Sequence, residues 1–279
     1  MGDACDGPLE AFFQSLKLSL PNSKIFCVRT GSGLFGDILS SYFGDSNKYV
    51  QAICDEMLST LELQSQYIGL GLSQGGQFLR GLLQKCNHKR GPRMHTLISI
   101  GGQHQGVMNI PRCSARNPSF FCRMIKYLVG NIVYSTFAQQ NIVQAQYFKD
   151  PAKMAEYHSS SNFLADINAE SDHVSASVYK QYRDNILQLE KMVLYQFEED
   201  DMVIPRQSSH FGFVGESGKL FDMKQTPQYY SLGLQQLDEQ AKLILDWIPG
   251  QHMQFSFEWF SENVVAKYLN VTSSPCTEQ

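Results

Sequence analysis

The stretch Tyr67-Ile68-Gly69-Leu70-Gly71-Leu72-Ser73-Gln74-Gly75-Gly76-Gln77-Phe78-Leu79-Arg80 decides the fold. Tyr67–Leu72 is a short apolar run that reads as a buried strand. Gly75–Cys86 carries Phe78, Leu79, Leu82 and Leu83 at helical spacing. Between them, Gly71-Leu72-Ser73-Gln74-Gly75 fits G-x-S-x-G. A strand, a tight turn bearing serine and then a helix lifts a hydroxyl clear of the end of a parallel sheet. Side chains at Gly71 and Gly75 are expected to clash with the adjoining strand and helix, and Gly69 and Gly76 to widen the same clearance. The Gln74 N–H, at the helix N-terminus, is then placed to bind the oxygen of a carbonyl attacked by Ser73.

The flanking sequence repeats the alternation. Lys24–Thr30 reads as a short buried strand, and Lys48–Leu63 as a helix with Val50, Ile53, Cys54, Met57, Leu58 and Leu61 on one stripe. Thr96–Ile100 is another strand, ending in glycines. From Val107 to about Glu190 the pattern turns helical, and Phe120, Phe121, Met124, Ile125, Leu128, Val129, Ile132 and Val133 form a dense apolar series. Strands resume at Lys191–Phe197 and Lys242–Ile248, and Phe257–Leu269 closes the chain as a helix. Apolar strands alternating with helices predict a mostly parallel sheet covered on both faces. The helical insert, about 107–190, is expected to cap a pocket, with packing elsewhere as the plainer alternative. Residues 1–270 then form a single domain, and the polar tail Val271–Gln279 is expected to be disordered.

Composition narrows the class. The chain has 279 residues, 43% hydrophobic and 18% charged, with a net charge of −4. That is ample material for one core. Basic residues are scattered apart from a short cluster at Lys85–Arg93, so no nucleic-acid-binding face is expected. No apolar run reaches the ~18 residues of a transmembrane helix. Met1-Gly2-Asp3-Ala4-Cys5-Asp6 has Asp6 where a myristoylation start requires Ser or Thr. Asn270-Val271-Thr272 is a glycosylation sequon, which fits a secreted protein. Seven cysteines leave at least one without a partner inside the chain. No CxxC occurs, and no metal or cofactor is implied.

A serine nucleophile needs a base and an orienting acid, which in this architecture follow in the order Ser, Asp or Glu, His. Of seven histidines, His252 stands a short Pro249-Gly250-Gln251 loop beyond the last predicted strand, where the base belongs. His104 also follows a strand but precedes every eligible acid, so it reads as a polar loop group near the site. His88, His95, His158 and His173 read as surface or insert residues, and His210 lies in an irregular stretch. The acid is sought just beyond Lys191–Phe197, where Glu198, Glu199, Asp200 and Asp201 stand in a row; position favours the last two only weakly.

These segments together resemble a known family. Gly71–Arg80 is similar to the nucleophile block of the palmitoyl-protein thioesterases, lysosomal α/β-hydrolase-fold enzymes that remove fatty acyl groups from cysteine. Leu97–Val107 with Pro111-Arg112-Cys113 resembles the family's next block. Phe163–Asn168 and His252 with Gln254, Ser256 and Glu258-Trp259-Phe260 resemble later ones. The resemblance runs from Met1 to about Leu269. It implies Asp200 as the acid, at a fixed gap before Val203 and Pro205, with Asp201 as runner-up. It implies disulfides Cys54–Cys86 and Cys113–Cys122, and leaves Cys5, Cys27 and Cys276 unassigned, because Asp6 replaces a second adjacent family cysteine. It aligns Met1 with the residue that shares the oxyanion hole with Gln74. The family's leader and first strand therefore have no counterpart here, and an incomplete N-terminus is expected.

The implied reaction is two-step acyl transfer on S-acylated proteins: Ser73 attacks, His252 moves the proton and Asp200 orients the imidazole. Gln103 and apolar insert residues are expected to wall the acyl groove. Lysosomal or secreted localisation follows from the resemblance alone. Two other readings are a generic lipase or carboxylesterase with the same triad and a catalytically inactive acyl-binding protein.

Overall fold

The computed structural model describes residues 5, 7, 9–60, 66–87, 91–108 and 132–270. Its centre is a parallel sheet of β1 (Gln66–Leu72), β2 (Arg93–Ile100), β3 (Lys191–Phe197) and β6 (Leu243–Ile248), hydrogen-bonded in that order. β4 (Phe213–Val214) and β5 (Leu220–Phe221) form a separate antiparallel hairpin. The helices are α1 (Glu10–Ser19), α2 (Gly33–Ser40), α3 (Ser46–Ser59), α4 (Gln74–Cys86), α5 (Thr136–Asn141), α6 (Met154–Ser160), α7 (Leu164–Ile167), α8 (Ala176–Ile186), α9 (Pro227–Ser231), α10 (Leu234–Glu239) and α11 (Phe257–Phe260). The last continues through wider π-type turns to Leu269. This is the α/β-hydrolase architecture that the alternating pattern predicts.

Alternation along each strand builds two cores. Leu97, Met192 and Leu194 face one side, where α3 (Val50, Ile53, Met57) and α4 (Leu79, Leu82, Leu83) cover them. Ile98, Ile100, Val193, Tyr195 and Phe197 face the other, under Leu16 and Leu20 and under Phe260, Val264 and Val265. Leu82 and Leu83 are 1% and 0% exposed. Each such burial contributes about 1.5–3 kcal/mol, so α4 is fixed by the face it hides rather than by helix propensity. Asp45 starts α3 by accepting the Asn47 N–H at 2.9 Å.

Several expectations are modified. Lys24–Thr30 is not a strand: it joins no ladder among the described residues, and Phe26 and Val28 are largely exposed. Its alternation matches a strand's, but a strand exists only through a partner's backbone. Here Cys27 is bonded to Cys5 instead. The helix expected over Lys48–Leu63 runs Ser46–Ser59, with Leu58 turned to solvent.

The second half of the insert belongs to the main core. Tyr157, Phe163, Leu164, Ala165, Ile167 and Ile186 are fully buried with the α4 residues. Asn185 Nδ2 donates to Gln84 O at 2.8 Å, and Lys85 pairs with Asp166. Phe163 lies so close to Gly81 that a Cβ there would approach its ring to 2.7 Å. Most of the apolar series, Phe120 through Val129, lies outside the described residues, as do the expected Cys113–Cys122 bridge and the tail 271–279.

Candidate active site

Ser73 sits between β1 and α4 with φ 50° and ψ −122°, a conformation that side chains avoid. Such strain costs on the order of 1–3 kcal/mol and persists only where the surroundings impose it. Two hydrogen bonds do so: Ser73 N–H donates to Ile100 O at 2.8 Å, and Gly76 N–H to Ser73 O at 3.0 Å. The glycines divide their work differently from the expectation. A Cβ on Gly71 would stand 2.5 Å from Gly75 O, and one on Gly76 would collide with Ser99 Oγ and come within 3.2 Å of Gly102 Cα. At Gly75, in the first turn of α4, a Cβ would meet open space. The expected clash there does not exist.

The parallel strands bring three distant loops together above their carboxyl ends. His252, four residues past β6, places Nε2 2.8 Å from Ser73 Oγ and Nδ1 2.7 Å from Asp200 Oδ2. Asp200, just past β3, is held by its other oxygen: Oδ1 accepts the N–H groups of Met202 at 2.9 Å and Val203 at 2.8 Å. Its side chain is 0% exposed and that of His252 is 9%. Phe197 packs edge-on against the imidazole at 5.7 Å. With Nδ1–H donating to the carboxylate, Nε2 is left as the acceptor for the serine proton. Asp201, next along the chain, is not the imidazole's partner.

Gln74 is the first residue of α4, where an N–H has no acceptor within the helix. Its side-chain Nε2 donates to Ser41 O at 3.4 Å. Met1, expected to supply the companion N–H, lies outside the described residues. Gln103 is 4% exposed and its amide donates to the Tyr147 hydroxyl. Cys54 and Cys86 are bonded, with Cα atoms 5.8 Å apart, tying α3 to the helix that carries the elbow. Cys5 and Cys27, unassigned from sequence, form a second bridge. Asn270 is exposed.

The remaining histidines have other partners. His104 lies in the loop after β2 and is fully buried there: Nε2 contacts Ser99 Oγ at 2.9 Å, and Nδ1 accepts from Arg80 Nε at 3.2 Å. Arg80, also fully buried, donates further to Gln84 Oε1, Ile167 O, His104 O and Asn168 Oδ1. Burial pulls the guanidinium down to about 9, and burial together with Arg80 holds His104 well below the usual imidazole range. His210 donates Nε2–H to carbonyls of β3 and β6, and burial lowers it as well. The Arg80–His104–Ser99 chain runs directly behind the elbow, since Ser99 Oγ is the atom a Cβ on Gly76 would strike. Sequence reasoning missed it. A signal was present: Gly76, Leu79, Arg80 and Leu83 share one helical stripe, which places an arginine among buried positions.

A strained serine, a tautomer-fixed imidazole and a buried carboxylate make a nucleophile for acyl transfer. The family model for palmitoyl protein thioesterase matches residues 1–252. A palmitoyl-protein thioesterase 1 from Caenorhabditis elegans is 34% identical over 275 residues, covering 96% of this chain and 89% of its own length. A palmitoyl-protein thioesterase-dolichyl pyrophosphate phosphatase fusion from Schizosaccharomyces pombe is 31% identical over 261 residues, 93% of this chain and 40% of that protein. A lysosomal thioesterase, PPT2, from Mus musculus is 34% identical over 167 residues, 59% of this chain and 52% of its own. Matched along nearly its whole length, and carrying the elbow and its two partners within the matched span, this chain belongs to the palmitoyl-protein thioesterase family.

Proposed function

We propose that this protein hydrolyses the thioester between a long-chain fatty acyl group and protein cysteine, with Ser73, His252 and Asp200 as its triad. The supporting observation is the unbroken hydrogen-bonded chain Ser73–His252–Asp200 in a member of this family. Ser73 Oγ attacks the carbonyl carbon and its proton passes to His252 Nε2. The C–S bond breaks and the departing thiolate takes that proton. Water then attacks the acyl-Ser73 ester, again losing its proton to His252, which returns it to Ser73 as the fatty acid leaves. Asp200 stabilises the imidazolium formed in each half.

The Gln74 N–H supplies one oxyanion donor, and we assign the second to Met1 on the resemblance. Such a donor contributes about 3–4 kcal/mol to lowering the barrier. Gln103, two residues beyond the Gly101 that packs against His252, is the polar group assigned to the acyl groove. Residues 1–270 act as one catalytic domain, the insert completing the groove. Relatives named lysosomal thioesterases support action in the lysosome. A fluorophosphonate probe is expected to label the protein and to fail on Ser73→Ala. A palmitoyl-cysteine peptide is expected to be cleaved in preference to its oxygen-ester analogue. Folded protein that resists labelling, or that prefers the oxygen ester, would overturn the proposal.

A further inference from the structure

We propose, resting on the thioesterase reading above, that the side-chain carbonyls of Gln103 and Gln74 bind the backbone N–H of the cysteine that carries the acyl group. The site thereby selects thioesters whose thiol carrier holds an amide next to the sulfur. Gln103 is 4% exposed, and its Oε1 has no hydrogen-bond partner among the described residues. Oε1 of Gln74, the residue directly after the nucleophile, is likewise buried without a partner among them. Buried polar atoms in folded proteins are nearly always paired, so two such oxygens beside one elbow point to a ligand that donates to them.

The two amides belong to one polar chain alongside the nucleophile. Gln74 Nε2 and Gln144 Nε2 both donate to Ser41 O, at 3.4 and 3.1 Å. Gln144 also donates to the Tyr147 hydroxyl, which accepts from Gln103 as well. The NH₂ groups of Gln74 and Gln103 are thus engaged, which orients each amide and leaves its oxygen to accept from elsewhere. The backbone before Gln103 touches the triad and the elbow. A Cβ on Gly101 would stand 3.1 Å from His252 Cε1, and one on Gly102 would stand 3.3 Å from Gly76 Cα.

The chemistry of the substrate selects the donor. A fatty acyl chain and a thioester contain no N–H or O–H, and methylenes packed on these oxygens would leave them desolvated and unpaired. In an S-acylated protein the donor nearest the reacting carbonyl is the N–H of the modified cysteine itself, two carbons from the sulfur. Held by Gln103, with Gln74 as a second acceptor, that N–H positions the C–S bond for attack by Ser73. Simple alkyl thioesters offer no such group. Pantetheine thioesters share the S–C–C–N–H unit, so the test separates the two carriers.

The test compares palmitoyl thioesters of N-acetylcysteine methyl ester and of N-acetylcysteamine in mixed micelles, each beside an analogue with N-methyl in place of the amide hydrogen. The full-length protein is expected to cleave the cysteine N–H compound with kcat/KM about tenfold or more above its N-methyl analogue. Gln103→Met should bring that ratio to about one by slowing the N–H compound alone, whereas a merely structural role would slow both alike. Gln103→Glu keeps an acceptor oxygen and should keep the ratio. Equal cleavage of the two cysteine compounds by the unsubstituted protein overturns the proposal, as does a ratio that survives Gln103→Met. Discrimination confined to the cysteamine pair overturns the peptide carrier in favour of pantetheine. Folded protein that cleaves none of the compounds refutes the thioesterase reading and this proposal with it; protein that cleaves all of them alike refutes this proposal alone.

Discussion

Replacing Asp200 by asparagine keeps the shape of the site and removes its electrostatic logic. Oδ1 of the new amide can still accept from Met202 and Val203, the two N–H groups that fix the native carboxylate. The amide NH₂ then faces His252 Nδ1, where the carboxylate oxygen lay 2.7 Å away. Nδ1 becomes the acceptor and Nε2 carries the proton, pointing a hydrogen at Ser73 Oγ, 2.8 Å off, instead of a lone pair. The serine cannot surrender its proton, and the imidazolium has lost its counter-charge. Loss of this function costs about 10⁴ in kcat, or ~5.5 kcal/mol of barrier. Stability changes less, by ~1.5–3 kcal/mol for the charge-assisted hydrogen bond. The assay is steady-state hydrolysis of an acyl thioester, with urea unfolding in parallel, and Asp201→Asn as the control expected to retain nearly full activity. An Asp200→Asn protein within tenfold of wild type, or a larger loss at Asp201, would refute the orienting role.

The elbow glycines separate by the same kind of measurement. Gly76→Ala pushes a methyl into Ser99 and Gly102 and should destabilise by ~1–3 kcal/mol, whereas Gly75→Ala meets open space and should be neutral or gain up to ~1 kcal/mol of helix propensity; equal effects in urea melts would contradict the geometry. His104 and His210 are held below their unfolded proton affinity, so the unfolded chain binds more protons as pH falls through ~6.5. Their contribution to stability is therefore greatest above pH 6.5 and declines below it, by as much as ~1.4 kcal/mol each at pH 5.5. His210→Gln should shrink the stability difference between pH 7.5 and 5.5, and an unchanged difference would exclude His210 from it.

The framework was legible because buried parallel strands are written as unbroken apolar runs. Lys191–Phe197 is delimited by charge on both sides and has the same bounds in the structure. Ser73 and His252 could be singled out because each stands at the end of such a run. Asp200 could not be separated from Asp201 by pattern, since what distinguishes them is which carboxylate the turn folds inward. Lys24–Thr30 failed for a related reason: strand character is conferred by a neighbour's backbone, and periodicity cannot report one. Cys5–Cys27 joins residues 22 apart through a loop whose course no local signal encodes. The pairing of Arg80 with His104 escaped notice because polar residues are presumed solvated, and the burial of Arg80 depends on neutral acceptors gathered from α4, the loop after β2 and the end of α7.

The loops that hold the triad are laced sideways: Ser73 to Ile100, Gly101 to Tyr195, Glu198 to Ile248 and Glu199 to Gly250, each by a backbone hydrogen bond. Slipping any one strand by a residue would displace its loop by about 3.3 Å, more than a whole proton-transfer contact. Competence is thus a property of the finished sheet and of no fragment of it. Until β6 pairs with β3, Ser73 lacks the imidazole that would accept its proton.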